Sequence, residues 1–330
     1  MKVAFFSTKS YDKEYFTKFN TDNIHELNFF EVPLNAQTAV LTVGFDAICV
    51  FVNDIINQET IEIISKNGIK LIALRCAGFN NVDLKAAREH QLKVVRVPAY
   101  SPESVAEHAA ALILTLNRKT HKAYNRVREG NFSIENLTGF NLFGKTVGVI
   151  GTGLIGTAFC KIMLGFGCKV LAYDVRESSQ LVERGVVYKT LDDLLKESEI
   201  ISLHCPLTPE TAHLIDATTI SKMKDGVMII NTSRGALVEA KDAIEGLKNG
   251  KIGYLGIDVY EQEADLFFQD LSESVIQDDT IARLISFPNV LITGHLGFFT
   301  KEALEEIATI TLNNLSAFEN DGELLNEVKS

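Results

Sequence analysis

Four stretches of the chain set polar residues directly after short apolar runs, and their types suit reduction of a carbonyl. Ile230-Asn-Thr-Ser-Arg234 carries an arginine, Ile257-Asp258-Val-Tyr-Glu261-Gln-Glu263 carries three acids, and Leu291-Ile-Thr-Gly-His295 carries a histidine. Arg75-Cys-Ala77-Gly78 closes an earlier apolar run. An arginine can grip a carboxylate bidentately and polarise the carbonyl beside it. A histidine can protonate the carbonyl oxygen as hydride arrives. A carboxylate beside that histidine keeps its imidazolium form populated, and spacing alone leaves the choice of acid open. Singly, each group has a plainer reading. A strand-end arginine is often a surface salt-bridge partner, a lone histidine after an apolar run is usually a core or cap residue, and the 261–279 loop, acidic with no basic residue, reads as solvated charge. Together they fit hydride transfer to a 2-keto acid.

Hydride chemistry needs a dinucleotide, and Lys145-Thr-Val-Gly-Val-Ile-Gly-Thr-Gly-Leu-Ile-Gly156 has the pattern that holds one. The β-branched run 146–150 reads as a buried strand ending in Gly151-x-Gly153-x-x-Gly156. Gly151 permits a tight turn, Gly153 lets the backbone approach a pyrophosphate, and Gly156 lets the following helix pack close to the strand. The free N–H groups and dipole at the helix start hold phosphate charge. A second strand-like run, Lys169-Val-Leu-Ala-Tyr, ends in Asp174, which can accept both ribose hydroxyls and would repel a 2′-phosphate. The expected cofactor is therefore NAD rather than NADP.

The elements that must position these groups follow from alternation along the chain. Apolar runs at 2–6, 46–52, 70–75 and 92–97, with helical stretches at 10–19, 58–67 and 83–90 between them, predict a small parallel α/β domain, with Asp83 as a helix N-cap. Pro102 then starts a helix over 104–119, rich in Ala, Leu and Ile, and His108 within it reads as a satisfied core histidine. From Lys145 the runs 146–150, 169–174, 186–189, 200–204, 227–231, 254–258 and 290–293 suffice for both halves of a doubly wound nucleotide domain. A last helix, over 300–320, has an apolar stripe and is expected to cross back to the first domain.

The expected fold is thus α/β with two domains: a Rossmann-type NAD domain, 101–298, inserted into a smaller flavodoxin-like substrate domain, 1–100 with 299–330.

Composition narrows the partners. At 330 residues with 46% hydrophobic content, two domains with sizeable cores are expected. A net charge of −11 argues against nucleic acid or an anionic membrane as partner. The five cysteines are scattered without a CxxC pair, so neither a metal site nor a disulfide is expected and a reducing, cytoplasmic setting is. The apolar N-terminal run is too short for a signal peptide, and no run is long enough for a membrane span.

As a set, the motifs are specific. Arg75-Cys-Ala-Gly-Phe-Asn-Asn-Val-Asp83, Val97-Pro-Ala-Tyr-Ser-Pro102, the glycine-rich turn, Ser202-Leu-His-Cys-Pro-Leu-Thr-Pro209, Asn231-Thr-Ser-Arg-Gly-Ala236, Asp258-Val-Tyr-Glu-Gln-Glu-Ala-Asp-Leu-Phe-Phe268 and Thr293-Gly-His295 run nearly end to end. With them the chain resembles the D-isomer-specific 2-hydroxyacid dehydrogenases, most of all the fermentative D-lactate dehydrogenases of that family. The resemblance implies NAD-dependent interconversion of pyruvate and D-lactate, and a homodimer or homotetramer is the expected assembly. It implies Arg234 as binder of the substrate carboxylate, His295 as proton donor, and Glu263 rather than Glu261 as the partner acid. Ala77 and Gly78 would hold the substrate carboxylate through their backbone, with Tyr100 shaping the pocket. Leu154 and Ile155 would lie at the pyrophosphate and Asp174 at the adenosine ribose. Cys205, Pro206 and Thr211 would line the cofactor, Thr232, Ser233 and Arg234 would border the nicotinamide, and Asp258 would bind its carboxamide. Leu296-Gly297 departs from the family pattern of a polar residue and then alanine. A dehydrogenase for a bulkier 2-keto acid and a dinucleotide-sensing corepressor on the same fold are the alternatives, the second disfavoured by the absence of a basic patch.

Overall fold

The computed structural model describes residues 1–263 and 266–329, so Ala264 and Asp265 of the acidic motif lie outside the described residues. The chain forms two compact units, Met1–Ser101 with Phe299–Ser330, and Pro102–Phe298. Among the described residues no helix is long and apolar enough to cross a membrane.

In the first unit, β1 (Lys2–Phe5), β2 (Glu26–Phe29), β3 (Ala47–Val50), β4 (Leu71–Leu74) and β5 (Lys93–Val95) form a parallel sheet in the order β2-β1-β3-β4-β5. That order is flavodoxin-like. Strands β3 and β4 are buried along their whole length, and a strand covered on both faces must be apolar throughout. The sequence reading has no strand at β2. This edge strand reads Glu-Leu-Asn-Phe, is nowhere fully buried, and therefore leaves no continuous apolar run to detect.

The helices of this unit are α1 (Ser10–Phe19), α2 (Gln58–Lys66), α3 (Leu84–Glu89) and α12 (Lys301–Glu319). Side-chain caps start three of them: Asn57 accepts from the Thr60 amide, Asp83 from that of Ala86, and Thr300 from that of Ala303. The last helix lays its apolar stripe against α1 and β4, as the spacing over 300–320 predicts.

In the second unit, β6 (Thr146–Ile150), β7 (Lys169–Tyr173), β8 (Val187–Tyr188), β9 (Ile200–Leu203), β10 (Val227–Asn231), β11 (Ile252–Ile257) and β12 (Val290–Ile292) form a second parallel sheet. Its order, β8-β7-β6-β9-β10-β11-β12, is the doubly wound one with a seventh strand added. The connecting helices are α4 (Pro102–Arg118), α5 (Thr120–Arg128), α6 (Leu154–Gly165), α7 (Ser179–Glu183), α8 (Leu191–Glu197), α9 (Ala217–Lys222), α10 (Ala240–Lys248) and α11 (Asp279–Ser286). Helix α4 packs on α6 and on β10 and β11, with Ala106, Ala109, Ala110, Leu112 and Ile113 buried in one core with Phe159 and Met163. Alanine there lets the backbones approach closely.

The register places the chemistry. Tyr173, Ile150, Leu203, Asn231, Ile257 and Ile292 are cross-strand partners in succession, so they lie at one level of the sheet. The next residues in chain order are Asp174, Gly151, His204, Thr232, Asp258 and Thr293. Six consecutive strands therefore release their polar residues along one carboxyl edge, where ligands of open α/β sheets bind.

His204, one of that row, stacks against Phe159 at 4.8 Å with its Nε2 2.9 Å from Ser202 Oγ. Burial lowers its pKa from the ordinary 6.5 to about 3, so the folded protein keeps the ring neutral. Above 6.5 both folded and unfolded forms are neutral and this contribution to stability is complete. As pH falls below 6.5 the unfolded chain takes up a proton that the folded chain refuses, and stability drops toward pH 3. The residue as a whole is half-buried, so the slope is taken as less than the full ~1.4 kcal/mol per pH unit. Urea midpoints measured from pH 7 to pH 5 should decline less steeply in His204→Gln than in wild type. Parallel declines would show that His204 is not the group responsible.

Candidate active site

The glycine-rich turn fits a dinucleotide on geometry. Gly151 has φ +93°, and a Cβ there would lie 2.6 Å from the Cys205 nitrogen; at Gly156 it would lie 1.9 Å from the Gly151 carbonyl oxygen. A Cβ on Gly153 would meet nothing within 4 Å, which leaves open space over the start of α6. That helix has Gly153 as its N-cap and, among the described residues, no side-chain cap on its first amides, which leaves them available to an anion. Thr232 Oγ1 is buried with no hydrogen-bond partner among the described residues, a second sign of an absent polar ligand.

Asp174 is clasped by the same turn. Its Oδ2 accepts from the Thr152 amide at 2.5 Å and the Thr152 hydroxyl at 3.1 Å, and its Oδ1 accepts from the Arg176 amide at 3.0 Å. Burial pushes this carboxyl up, but those donors outweigh it and hold it below the usual aspartate range. A fixed negative charge at the end of β7 follows.

At the other side of the row, His295 and Glu263 form a pair, with Nδ1 to Oε1 at 2.9 Å. Glu263 is itself anchored, its Oε2 accepting from the Tyr260 amide at 3.0 Å. Glu261 lies elsewhere, 3.1 Å from His213 Nε2. The acid that spacing could not choose is thus placed by the loop's fold, two residues apart in sequence but on different histidines. Arg234 leaves β10 in a loop pressed on the acid loop, since a Cβ on Gly235 would lie 2.0 Å from the Tyr260 carbonyl carbon. Only glycine fits there. The guanidinium donates from Nη1 to the Ser233 carbonyl at 2.7 Å and has no carboxylate partner among the described residues.

Asp258 is 1% exposed and acts as an organiser. Its carboxylate accepts from the Leu296 amide at 3.0 Å, the Gly297 amide at 2.8 Å and the Thr293 hydroxyl, while its backbone carbonyl accepts from the His295 amide at 2.8 Å. Burial raises the Asp258 carboxyl, and His108, Thr293 and Leu296 together bring it below its ordinary value. These bonds hold His295 at φ +54°, a left-handed conformation that costs on the order of 1–3 kcal/mol outside glycine.

The remaining residues divide cleanly. Ser233 donates to the Cys205 carbonyl at 2.6 Å, and Thr211 donates to that of Pro206 at 2.7 Å, which ties these loops to each other along the row. Leu154 is exposed and Ile155 half-buried at the start of α6. Ala77, Gly78 and Tyr100 belong to the first unit, where the Ala77 carbonyl accepts from Arg96 at 2.7 Å and that of Gly78 from the Cys76 thiol at 3.3 Å. Arg75 leaves the set: it is 2% exposed, bonds Asp12 at 3.0 Å and the Ser7 carbonyl at 3.0 Å, and serves the core of its own unit. His108, which the sequence reads as a satisfied core histidine, has its Nε2 3.2 Å from Asp258 and 3.1 Å from Thr293. Its position in the second turn of an alanine-rich helix gives no sign of that partner.

Such a row has a dinucleotide turn at one side and, at the other, an acid–histidine pair and an arginine with no carboxylate partner among the described residues; its chemistry is that of a nicotinamide-dependent dehydrogenase. Residues 110–297 match the model for the NAD binding domain of the D-isomer specific 2-hydroxyacid dehydrogenases, and the chain belongs to that family. It is therefore an NAD-dependent oxidoreductase. Among its relatives is the D-lactate dehydrogenase of Escherichia coli strain K12, 55% identical over 99% of this chain and 100% of that protein. The fold is shared with the pyruvate reductase of Chlamydomonas reinhardtii, with TM-score 0.94 and 45% identity over 99% of this chain and 98% of that one. It is shared too with D-lactate dehydrogenase from Aquifex aeolicus complexed with NAD and lactic acid, with TM-score 0.87 and 37% identity over 99% and 98% of the two chains.

The expectation that Asp174 sets cofactor choice can be tested together with its neighbour Val175, which is 92% exposed. Asp174→Ser combined with Val175→Arg removes the repelling charge and adds a cation, and should move the ratio of NADPH to NADH kcat/KM upward. An unchanged ratio would show that Asp174 does not face the adenosine ribose.

Proposed function

We propose that this chain reduces pyruvate to D-lactate with NADH and oxidises D-lactate by the reverse path. The observation that carries the reading is the Glu263–His295 pair at 2.9 Å, in the same row as an arginine free of any described carboxylate. When bound, NADH supplies the hydride that forms the new C–H bond at the substrate carbonyl carbon. Arg234 holds the substrate carboxylate through two parallel N–H bonds and draws electron density from the adjoining carbonyl. Protonated His295 gives its Nε2 proton to the carbonyl oxygen, so the products are the hydroxy acid and the oxidised cofactor. Glu263 accepts from Nδ1–H, which fixes the ring so that Nε2 is the donating atom and balances the imidazolium charge. The rings of Phe268 and Phe298, with centroids 5.9 and 6.5 Å from that of His295, keep the proton in apolar surroundings.

Relatives named for D-lactate and for pyruvate favour pyruvate over larger 2-keto acids as the substrate. The exposed Phe132, Ile134 and Phe143 of the segment after α5 suit a homodimer or homotetramer, and the five free thiols suit the cytoplasm.

The deciding experiment is steady-state NADH oxidation against 2-keto acids from glyoxylate to phenylpyruvate, with chiral analysis of the product. Pyruvate should give the highest kcat/KM and D-lactate as product; a bulkier acid in first place, or L-lactate, would overturn the assignment. In the same assay His295→Ala should lose about 10²–10⁴ in kcat, since the proton donor is gone. Arg234→Lys keeps the charge and loses the fork; charged hydrogen bonds are worth about 1.5–3 kcal/mol, so kcat/KM for pyruvate should fall roughly ten- to a hundredfold with NADH affinity little changed.

A further inference from the structure

We infer that His108 is a positioning residue for His295, holding the Asp258 carboxylate that shapes the 293–297 turn; this rests on the reaction proposed above. His108 Nε2 lies 3.2 Å from Asp258 Oδ1 and 3.1 Å from Thr293 Oγ1. The Thr293 hydroxyl gives its single proton to Asp258 Oδ1, and a carboxylate has none to give. Nε2 must therefore carry the hydrogen, and His108 is the donor to this pair. It completes a set of four donors on a carboxylate that is 1% exposed, the others being the Leu296 and Gly297 amides and the Thr293 hydroxyl.

Three further observations separate this from ordinary core packing. Two of those donors are the amides that directly follow His295, and the Asp258 carbonyl takes the His295 amide itself, so any rotation of the carboxylate is felt at the reacting ring. A Cβ on Gly297 would lie 3.0 Å from Asp258 Oδ2 and 3.5 Å from His108 Cδ2, so the turn, the acid and His108 are in close contact with little room to relax. Helix α4 supplies a firm base, with Ala106, Ala109 and Ala110 buried on either side of His108 in the sequence. The mechanism thus uses two histidine–carboxylate pairs in series: Glu263 orients the ring of His295, and His108 fixes the acid that orients its backbone.

The test compares His108→Leu, His108→Gln and Thr293→Val with wild type, on whichever 2-keto acid gives the highest kcat/KM, using NADH and NADH deuterated at the transferred position. Glutamine places its amide N–H near the position of Nε2. His108→Leu should lower kcat by about ten- to a hundredfold, as misplacement near a reacting group does, with the substrate KM and the fluorescence-measured NADH Kd within about threefold of wild type. The isotope effect on kcat should rise, because hydride transfer becomes slower than product release. His108→Gln should recover most of kcat, and Thr293→Val should shift kcat and the isotope effect in the direction of His108→Leu. If His108 merely filled space, any loss would follow the folded fraction, the isotope effect would stay put, and glutamine would do no better than leucine; that result overturns the inference. Should His108→Leu fail to fold, wild-type kcat and isotope effect in Thr293→Val overturn it equally. A wild-type enzyme active on another 2-keto acid but not on pyruvate would strike only the choice of substrate, whereas one inactive on the whole panel overturns both.

Discussion

The parallel register of the larger sheet is the constraint on which the site depends. Strands that ran antiparallel would send alternate loops to opposite edges; here six strands end at one level, and each next residue enters the same row. The dinucleotide turn, the charge at Asp174, the organiser Asp258 and the loops of Arg234 and His295 are consequences of that alignment. The sheet earns its rigidity from burial on both faces, and so the spacing of side chains at its edge varies little. Arg234, Glu263 and His295 all belong to this one unit, which fixes their mutual placement by a single scaffold.

Close backbone approach is the second recurring device. At Gly156 the start of α6 nearly touches the strand–turn carbonyl, and at Gly235 the arginine loop is in contact with the acid loop; a side chain at either would force the loops apart. Backbone contact is stiffer than a contact between flexible side chains, because two loops that touch along the main chain have no rotamers to give. The arginine loop and the acid loop are held together by that contact, and among the described residues no salt bridge occupies the guanidinium. An Arg234–carboxylate pair would satisfy the charge and leave the guanidinium unable to take another anion.

How much of this could be read from the sequence depends on the range of the interactions involved. The doubly wound sheet was legible because buried parallel strands are apolar runs separated by helical stretches, and the residues 146–150 and 227–231 stand as strands in the structure. Strand β2 was not legible, since an edge strand with mixed exposure carries no such run. Arg234, Glu263 and His295 could be named as chemistry at strand ends, whereas the division of labour between Glu261 and Glu263 is set by a loop whose path no spacing rule predicts. Arg75 shows the limit of strand-end position as a guide: its burial against Asp12, which no spacing reveals, gives it to the core of its own unit. The link from His108 to Asp258 spans two elements far apart in the chain, and only packing of α4 on β11 brings them together.

Burial explains why Asp258 and Glu263 behave differently although both face histidines. Glu263 keeps about a fifth of its side chain in solvent, 21%, and spends one oxygen on a backbone amide and the other on His295. Asp258 has almost no solvent contact and must find every compensating donor within the protein. A buried charge left without donors costs several kcal/mol, and the turn at 293–297 supplies amides only in the bent path that puts His295 at positive φ. The hydrogen bonds between the turn and Asp258 therefore offset both the strain at His295 and the desolvation of that carboxylate. Those bonds are why His295 can stand in a conformation that an isolated loop would abandon.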